Sequence, residues 1–200
     1  MSSICTRLHA LWRYCCRYIK TSGRRIGGIT ELKANGKTVQ VEMTEEQLKE
    51  LGVIKPRTGY ERMEKDSTYF FNVASGDTSS TAEAKHTVDQ DFYDNGNYYS
   101  DCEIAENNAR ADRLFRQLRR WQALNDKAIT KKDWEDINVG KIIIFYNYEC
   151  CKIRIACRRT MRHPNVVYFT SREKAKEAIE VFKDELLWYF TEYQQRLDEE

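Results

Sequence analysis

The feature that most limits how this 200-residue chain can fold is a short motif written twice, 70 residues apart. Tyr98-Tyr99-Ser100-Asp101-Cys102-Glu103-Ile104-Ala105 aligns with Tyr168-Phe169-Thr170-Ser171-Arg172-Glu173-Lys174-Ala175. Each copy is an aromatic pair, a hydroxyl residue with glutamate three positions on, and then an apolar pattern at helical spacing. The hydroxyl of Ser100 or Thr170 can accept from the third helical N–H while Glu103 or Glu173 reaches back, so both segments predict a strand that ends where a capped helix begins.

Strand signals precede each motif. Thr68 to Val73 leads into the turn Ala74-Ser75-Gly76-Asp77, with a polar, weakly patterned return near 78–85. Lys141 to Tyr148 leads into Glu149-Cys150-Cys151 and returns through Lys152 to Cys157, whose alternation puts Ile153, Ile155 and Cys157 on one face. The helix over 101–124 is expected to bury Ile104, Ala111, Leu114, Phe115, Leu118 and Trp121, which groups Arg110, Arg113, Arg116 and Arg120 as a cationic ridge. The helix over 171–197 is expected to bury Ala175, Ile179, Phe182, Leu186, Tyr189, Phe190 and Tyr193, and its last third is acidic. These patterns predict an α+β fold with two tandem β-β-β-α units, over 57–130 and 131–200.

Two smaller segments come first. Residues 1–28 read as a basic amphipathic helix and linker, with Ile4, Leu8, Leu11, Trp12, Cys15, Tyr18 and Ile19 at helical spacing. Residues 29–56 read as a β-hairpin about Asn35-Gly36, a pair that tolerates positive φ, followed by a short helix with a Thr44/Gln47 capping box, Leu48 and Leu51 on one side and Gly52 as stop. Lys55-Pro56-Arg57-Thr58-Gly59 marks the boundary.

Charge is separated along the chain. Arg7, Arg13, Arg17, Lys20, Arg24 and Arg25 stand among the first 28 residues without an acid, and removing these six from the overall +2 leaves −4 for the remainder. Residues 83–106 carry Glu83, Asp89, Asp91, Asp94, Asp101, Glu103 and Glu106 against Lys85, interleaved with Phe92, Tyr93, Tyr98 and Tyr99. An acidic, aromatic stretch of this kind could enter a partner's cationic groove, with Asp89, Asp91, Asp94 and Tyr98 as contacts and the arginine ridge as a second surface. From Cys150 to His163 the sign reverses: Lys152, Arg154, Arg158, Arg159 and Arg162 occur with no acid, beside Tyr146-Asn147-Tyr148. Guanidinium for phosphate and rings for bases make this the candidate nucleic-acid surface.

Catalysis has little to work with. Asp89-Gln90-Asp91-Phe92-Tyr93-Asp94-Asn95-Gly96 has the composition of a calcium loop but not its ligand order, and reads as a solvated turn. Cys157 and His163 are neighbours in sequence, which is no warrant for a dyad. Gly27-Gly28 belongs to no phosphate-cradling pattern. Seven cysteines, including the adjacent pairs Cys15-Cys16 and Cys150-Cys151, predict a reducing, cytoplasmic setting, and no spacing recommends a metal or other cofactor. Without a run of about 18 apolar residues, no membrane span is expected.

The stretch from Leu32 to Gly52, followed by Lys55-Pro56-Arg57-Thr58-Gly59-Tyr60-Glu61-Arg62, resembles the opening of small accessory proteins of Gram-positive phages and mobile elements. Asn95-Gly96-Asn97-Tyr98-Tyr99-Ser100 and Val167-Tyr168-Phe169-Thr170-Ser171 fit the same pattern, so that the resemblance spans 29–195. Some similar phage proteins are anti-CRISPR inhibitors. The resemblance therefore implies a non-enzymatic protein that binds a host defence nuclease, a type II effector, or its ribonucleoprotein complex. The alternative is a nucleic-acid-binding module, with regulation as one role open to it. Oligomeric state has no sequence signature here.

Overall fold

A computed structural model describes residues 28–34, 37–44, 47 and 55–199. The chain divides into two compact units at Thr58/Gly59. In the first, β1 (Gly28–Ala34) and β2 (Lys37–Met43) form an antiparallel hairpin whose register closes at Ala34 opposite Lys37, leaving Asn35-Gly36 as the connection. The expected capping box is present. Thr44 N donates to Gln47 Oε1 at 3.0 Å and Gln47 N to Thr44 Oγ1 at 3.3 Å. The basic helix expected over 3–20 and the body of the short helix lie outside the described residues.

The second unit is mixed α and β. Among the described residues it holds two hairpins, β3 (Thr68–Asn72) with β4 (Thr78–Ala82) and β5 (Lys141–Asn147) with β6 (Lys152–Arg158). Five helices complete it: α1 (Thr87–Asp94), α2 (Cys102–Asn125), α3 (Lys131–Glu135), α4 (Arg172–Val181) and α5 (Lys183–Thr191). Each aromatic pair lies beside a hairpin, but the strand expected there is a single antiparallel bridge, Phe70 to Tyr99 and Ile142 to Phe169. Both bridges carry two backbone hydrogen bonds of 2.8 Å.

The helix starts correct the expected caps by one residue. Asp101, not Ser100, caps α2 by accepting from the N–H groups of Glu103 and Ile104, and Ser171, not Thr170, caps α4 by accepting from Lys174 N. The preceding hydroxyls take other partners: Ser100 Oγ donates to Glu61 at 2.9 Å, and Thr170 donates through N and Oγ1 to Asp126. A hydroxyl needs an acceptor wherever it sits, so spacing alone cannot say which of two adjacent polar residues takes the cap.

Helix α2 runs through three core clusters. Ile104 and Ala105 pack with Tyr99, Tyr60, Phe70 and Leu197; Leu114 and Leu118 with Leu186, Ile144 and Ile153; and Trp121 with Ile142, Phe169, Ala175 and Ala178. Full burial of a leucine contributes about 1.5–3 kcal/mol relative to exposure, so Leu114 and Leu118, both nearly inaccessible, make α2 the central beam. The helix expected over 171–197 is broken at Phe182, whose φ of −113° and ψ of 22° leave the helical range, and it ends at Thr191. The buried residues of α4 are Ala175 and Ala178, whereas those of the following helix are the bulky Leu186 and Trp188. Beyond α5 the chain folds back, with Tyr193 Oη on Asn108 Oδ1 at 2.8 Å, Gln194 O on Asn107 Nδ2 at 3.2 Å, and Leu197 in the first cluster.

Candidate nucleic-acid interface

The β5–β6 register decides which residues meet. Ile142 faces Cys157, Ile144 faces Ile155 and Tyr146 faces Ile153, and members of these pairs enter the core clusters, as alternation predicted for Ile153, Ile155 and Cys157. The other face therefore carries Lys141 opposite Arg158, Ile143 opposite Ala156, Phe145 opposite Arg154 and Asn147 opposite Lys152. Its base is closed: Ile143 is buried, and Lys141, wholly inaccessible, donates to Asp136 O at 3.2 Å and Arg159 O at 2.9 Å beneath the Trp134 ring. Its tip is open, with Lys152 and Arg154 exposed beside half-buried Phe145.

Arg159 and Arg162 extend this cationic face into the following loop. Both are exposed; Arg159 donates to Ile137 O at 3.4 Å, and Arg162 stacks 5.2 Å from the Trp134 centroid. Arg158 is half-buried, with its Nε enclosed and unpartnered, so it contributes less than its neighbours. The expected aromatics divide, for Tyr148 is 72% exposed whereas Tyr146 is not on the basic face. Tyr146 lies on the core side, stacked 5.9 Å from Phe190, and Tyr148 donates its hydroxyl to Phe190 O at 2.8 Å, while Phe145 shares the basic face. Only the register reveals Phe145; in the sequence it is one apolar residue in an unbroken run.

The acidic segment is divided, and burial corrects two of the expected contacts. Asp89 is 5% exposed and Tyr98 2%. Asp89, third residue of α1, accepts from His86 N at 2.9 Å, Ala84 N at 3.0 Å and Tyr69 Oη at 2.9 Å. The His86 N–H leads in holding its carboxyl below the ordinary value, against the opposing effect of burial, and the Tyr69 and Ala84 donors add to it. The stretch read as a solvated turn thus begins as a helix, and its first carboxylate closes that helix's N-terminus.

Glu83, also inaccessible, accepts from Arg62 Nε at 3.1 Å and NH2 at 3.3 Å, Tyr98 Oη at 2.8 Å and Lys85 N at 2.8 Å. Burial opposes its ionisation, but the Arg62, Tyr98 and Lys85 donors outweigh it, and the carboxyl lies below its usual range. Burial chiefly, with Glu83 as acceptor, pushes the Tyr98 hydroxyl up to about 12. Tyr69 and Tyr98 stack at 4.1 Å between the two carboxylates. This Arg62–Glu83–Tyr98 and Asp89–Tyr69 network is structural, and Arg62 and Tyr69 carry no sequence signal that links them to it. Asp91 and Asp94 remain exposed on α1, beside exposed Val88 and Tyr93.

The arginine ridge is also divided. Arg110 pairs with Glu185 at 2.9 and 3.1 Å and lies 3.9 Å over Trp188, and Arg113 donates to Gly76 O at 3.4 Å. These two tie α2 to α5 and to the β3–β4 turn, whereas Arg116 and Arg120 stay exposed. No protein-family model, curated protein or solved structure matches this chain. Among the described residues no helix is long and apolar enough to cross a membrane.

Proposed function

We propose that the protein acts by binding rather than catalysis, and that single-stranded nucleic acid is held on the outer face of the β5–β6 hairpin. The observation that carries the reading is the cross-strand pair Phe145/Arg154 with Lys152 beside it on one open face. Arg159 and Arg162 prolong that face, and no acid occurs from Cys150 to His163. A ring offers stacking to any base, and four exposed cations offer phosphate contacts, which favours a sequence-tolerant ligand. The second unit fits two related hairpin-plus-capped-helix copies, of which the latter has become the binding copy.

Anisotropy of a fluorescent single-stranded RNA or DNA, titrated across salt, tests this. Four phosphate contacts predict a slope of log K on log salt of about −3. Binding that is absent, or indifferent to salt, rejects it.

A second reading rests on α1, where Asp91 and Asp94 stand exposed with Val88 at 54% and Tyr93 at 41%. An acidic helix with apolar contacts suits a cationic groove on a protein. On this reading the chain is a stoichiometric inhibitor of a host defence nuclease, most specifically a type II CRISPR effector or its ribonucleoprotein complex. Target cleavage undiminished at excess protein removes that reading.

A further inference from the structure

An apolar cavity of about 250 Å³ and a polar cleft of about 450 Å³ share Phe115, Asn165 and Tyr189 as lining. Leu114, Leu118, Ile144, Val167, Phe169 and Leu186 line the apolar lobe, and among the described residues its only polar side chains are the shared Asn165 and Tyr189. Asp112, Arg116, Arg119 and Tyr193 line the other. Among the described residues neither Arg116 nor Arg119 enters an ion pair. Both stand on α2 one turn apart.

We propose that this two-lobed cavity binds a small single-chain anionic amphiphile, its carboxylate or phosphate head on Arg116 and Arg119 and its hydrocarbon tail in the apolar lobe. Two guanidiniums without an ion-pair partner select an anion, and charge-assisted hydrogen bonds to it are the strong ones. A nucleobase fits the inner lobe poorly, because its donor and acceptor edges would be buried with few partners, whereas a methylene chain loses nothing there. At about 250 Å³ the lobe is smaller than pockets for drug-sized ligands, so the tail is short. Asp112 shares the polar lobe and opposes an anionic head, which sets the sign of one test. The proposal is independent of the nucleic-acid reading.

The test is calorimetric titration of the full chain with decanoate, decyl phosphate and decanol, all below the concentrations at which they form micelles. Saturable binding of decanoate or decyl phosphate is expected. It should weaken by at least about tenfold in the double variant Arg116→Gln/Arg119→Gln and tighten in Asp112→Asn, with decanol weaker than either anion. Decanoate alone assigns a carboxylate head and decyl phosphate alone a phosphate head. All three substitutions are at exposed positions, and melting followed by circular dichroism confirms that the variants fold. Absence of saturable binding by both anions, affinity unchanged in the double variant, or decanol binding as tightly as the anions overturns the proposal.

Discussion

Replacing Glu83 with alanine should cost more than any other single carboxylate substitution in the second unit. The side chain is inaccessible and accepts hydrogen bonds from Arg62, Tyr98 Oη and Lys85 N. Its removal strands a hydroxyl that is itself buried and a guanidinium with only 22% side-chain exposure. Breaking a buried pair by deleting one partner costs about 3–5 kcal/mol, and at about 2–4 °C per kcal/mol for a domain of this size the melting temperature should fall by roughly 6–20 °C. Thermal and urea unfolding followed by circular dichroism measure the loss, with exposed Glu64→Ala as control. Tyr98→Phe should be destabilising too, by about 1–3 kcal/mol, and the double variant should lose less than the sum because both changes dismantle one network. If Glu83→Ala melts with the Glu64→Ala control, or if the two losses add fully, the network does not hold the fold as described.

The same carboxylate sets an acid limit. Because the folded-state value of Glu83 lies below the ordinary 4.5, its contribution is complete above that pH and is lost as pH falls through the folded value; a stability–pH profile should drop there and be flatter in Glu83→Gln. Gly59 adopts φ +93°, and a Cβ added to it would sit only 2.9 Å from Ile104 Cγ1, so it cannot take a side chain without moving the first core cluster. Gly59→Ala should therefore destabilise by about 1–3 kcal/mol in urea melts, and a neutral result would contradict the packing. Asp101→Ala and Ser171→Ala should each cost about 0.5–2 kcal/mol, whereas Thr170→Ala should leave the start of α4 capped, as hydrogen exchange of Lys174 N–H can report.

The β1–β2 and β5–β6 hairpins, the Thr44/Gln47 box and the starts of α2 and α4 to within a residue were legible because period-two alternation, turn residues and polar caps are local signals. What escaped sequence reasoning depends on contacts from afar. The carboxylates of 83–106 look alike in sequence, yet Glu83 and Asp89 are drawn inward by Arg62, Tyr69 and Tyr98, while Asp91 and Asp94 stay outside. The break at Phe182 carries no glycine or proline to announce it. In the candidate site the basic residues were evident from charge alone. Phe145 was not, because only the pairing of β5 with β6 sets it opposite Arg154.

The most direct test compares two charge reversals in the same single-stranded oligonucleotide assay, Lys152→Glu/Arg154→Glu on the hairpin face and Arg116→Glu/Arg120→Glu on the exposed side of α2. The hairpin variant should halve the salt slope from about −3 to about −1.5 and weaken binding strongly, while the helix variant should bind nearly as the parent does. Loss of binding confined to the helix variant, or binding retained in full by the hairpin variant, would contradict the assignment of the β5–β6 face.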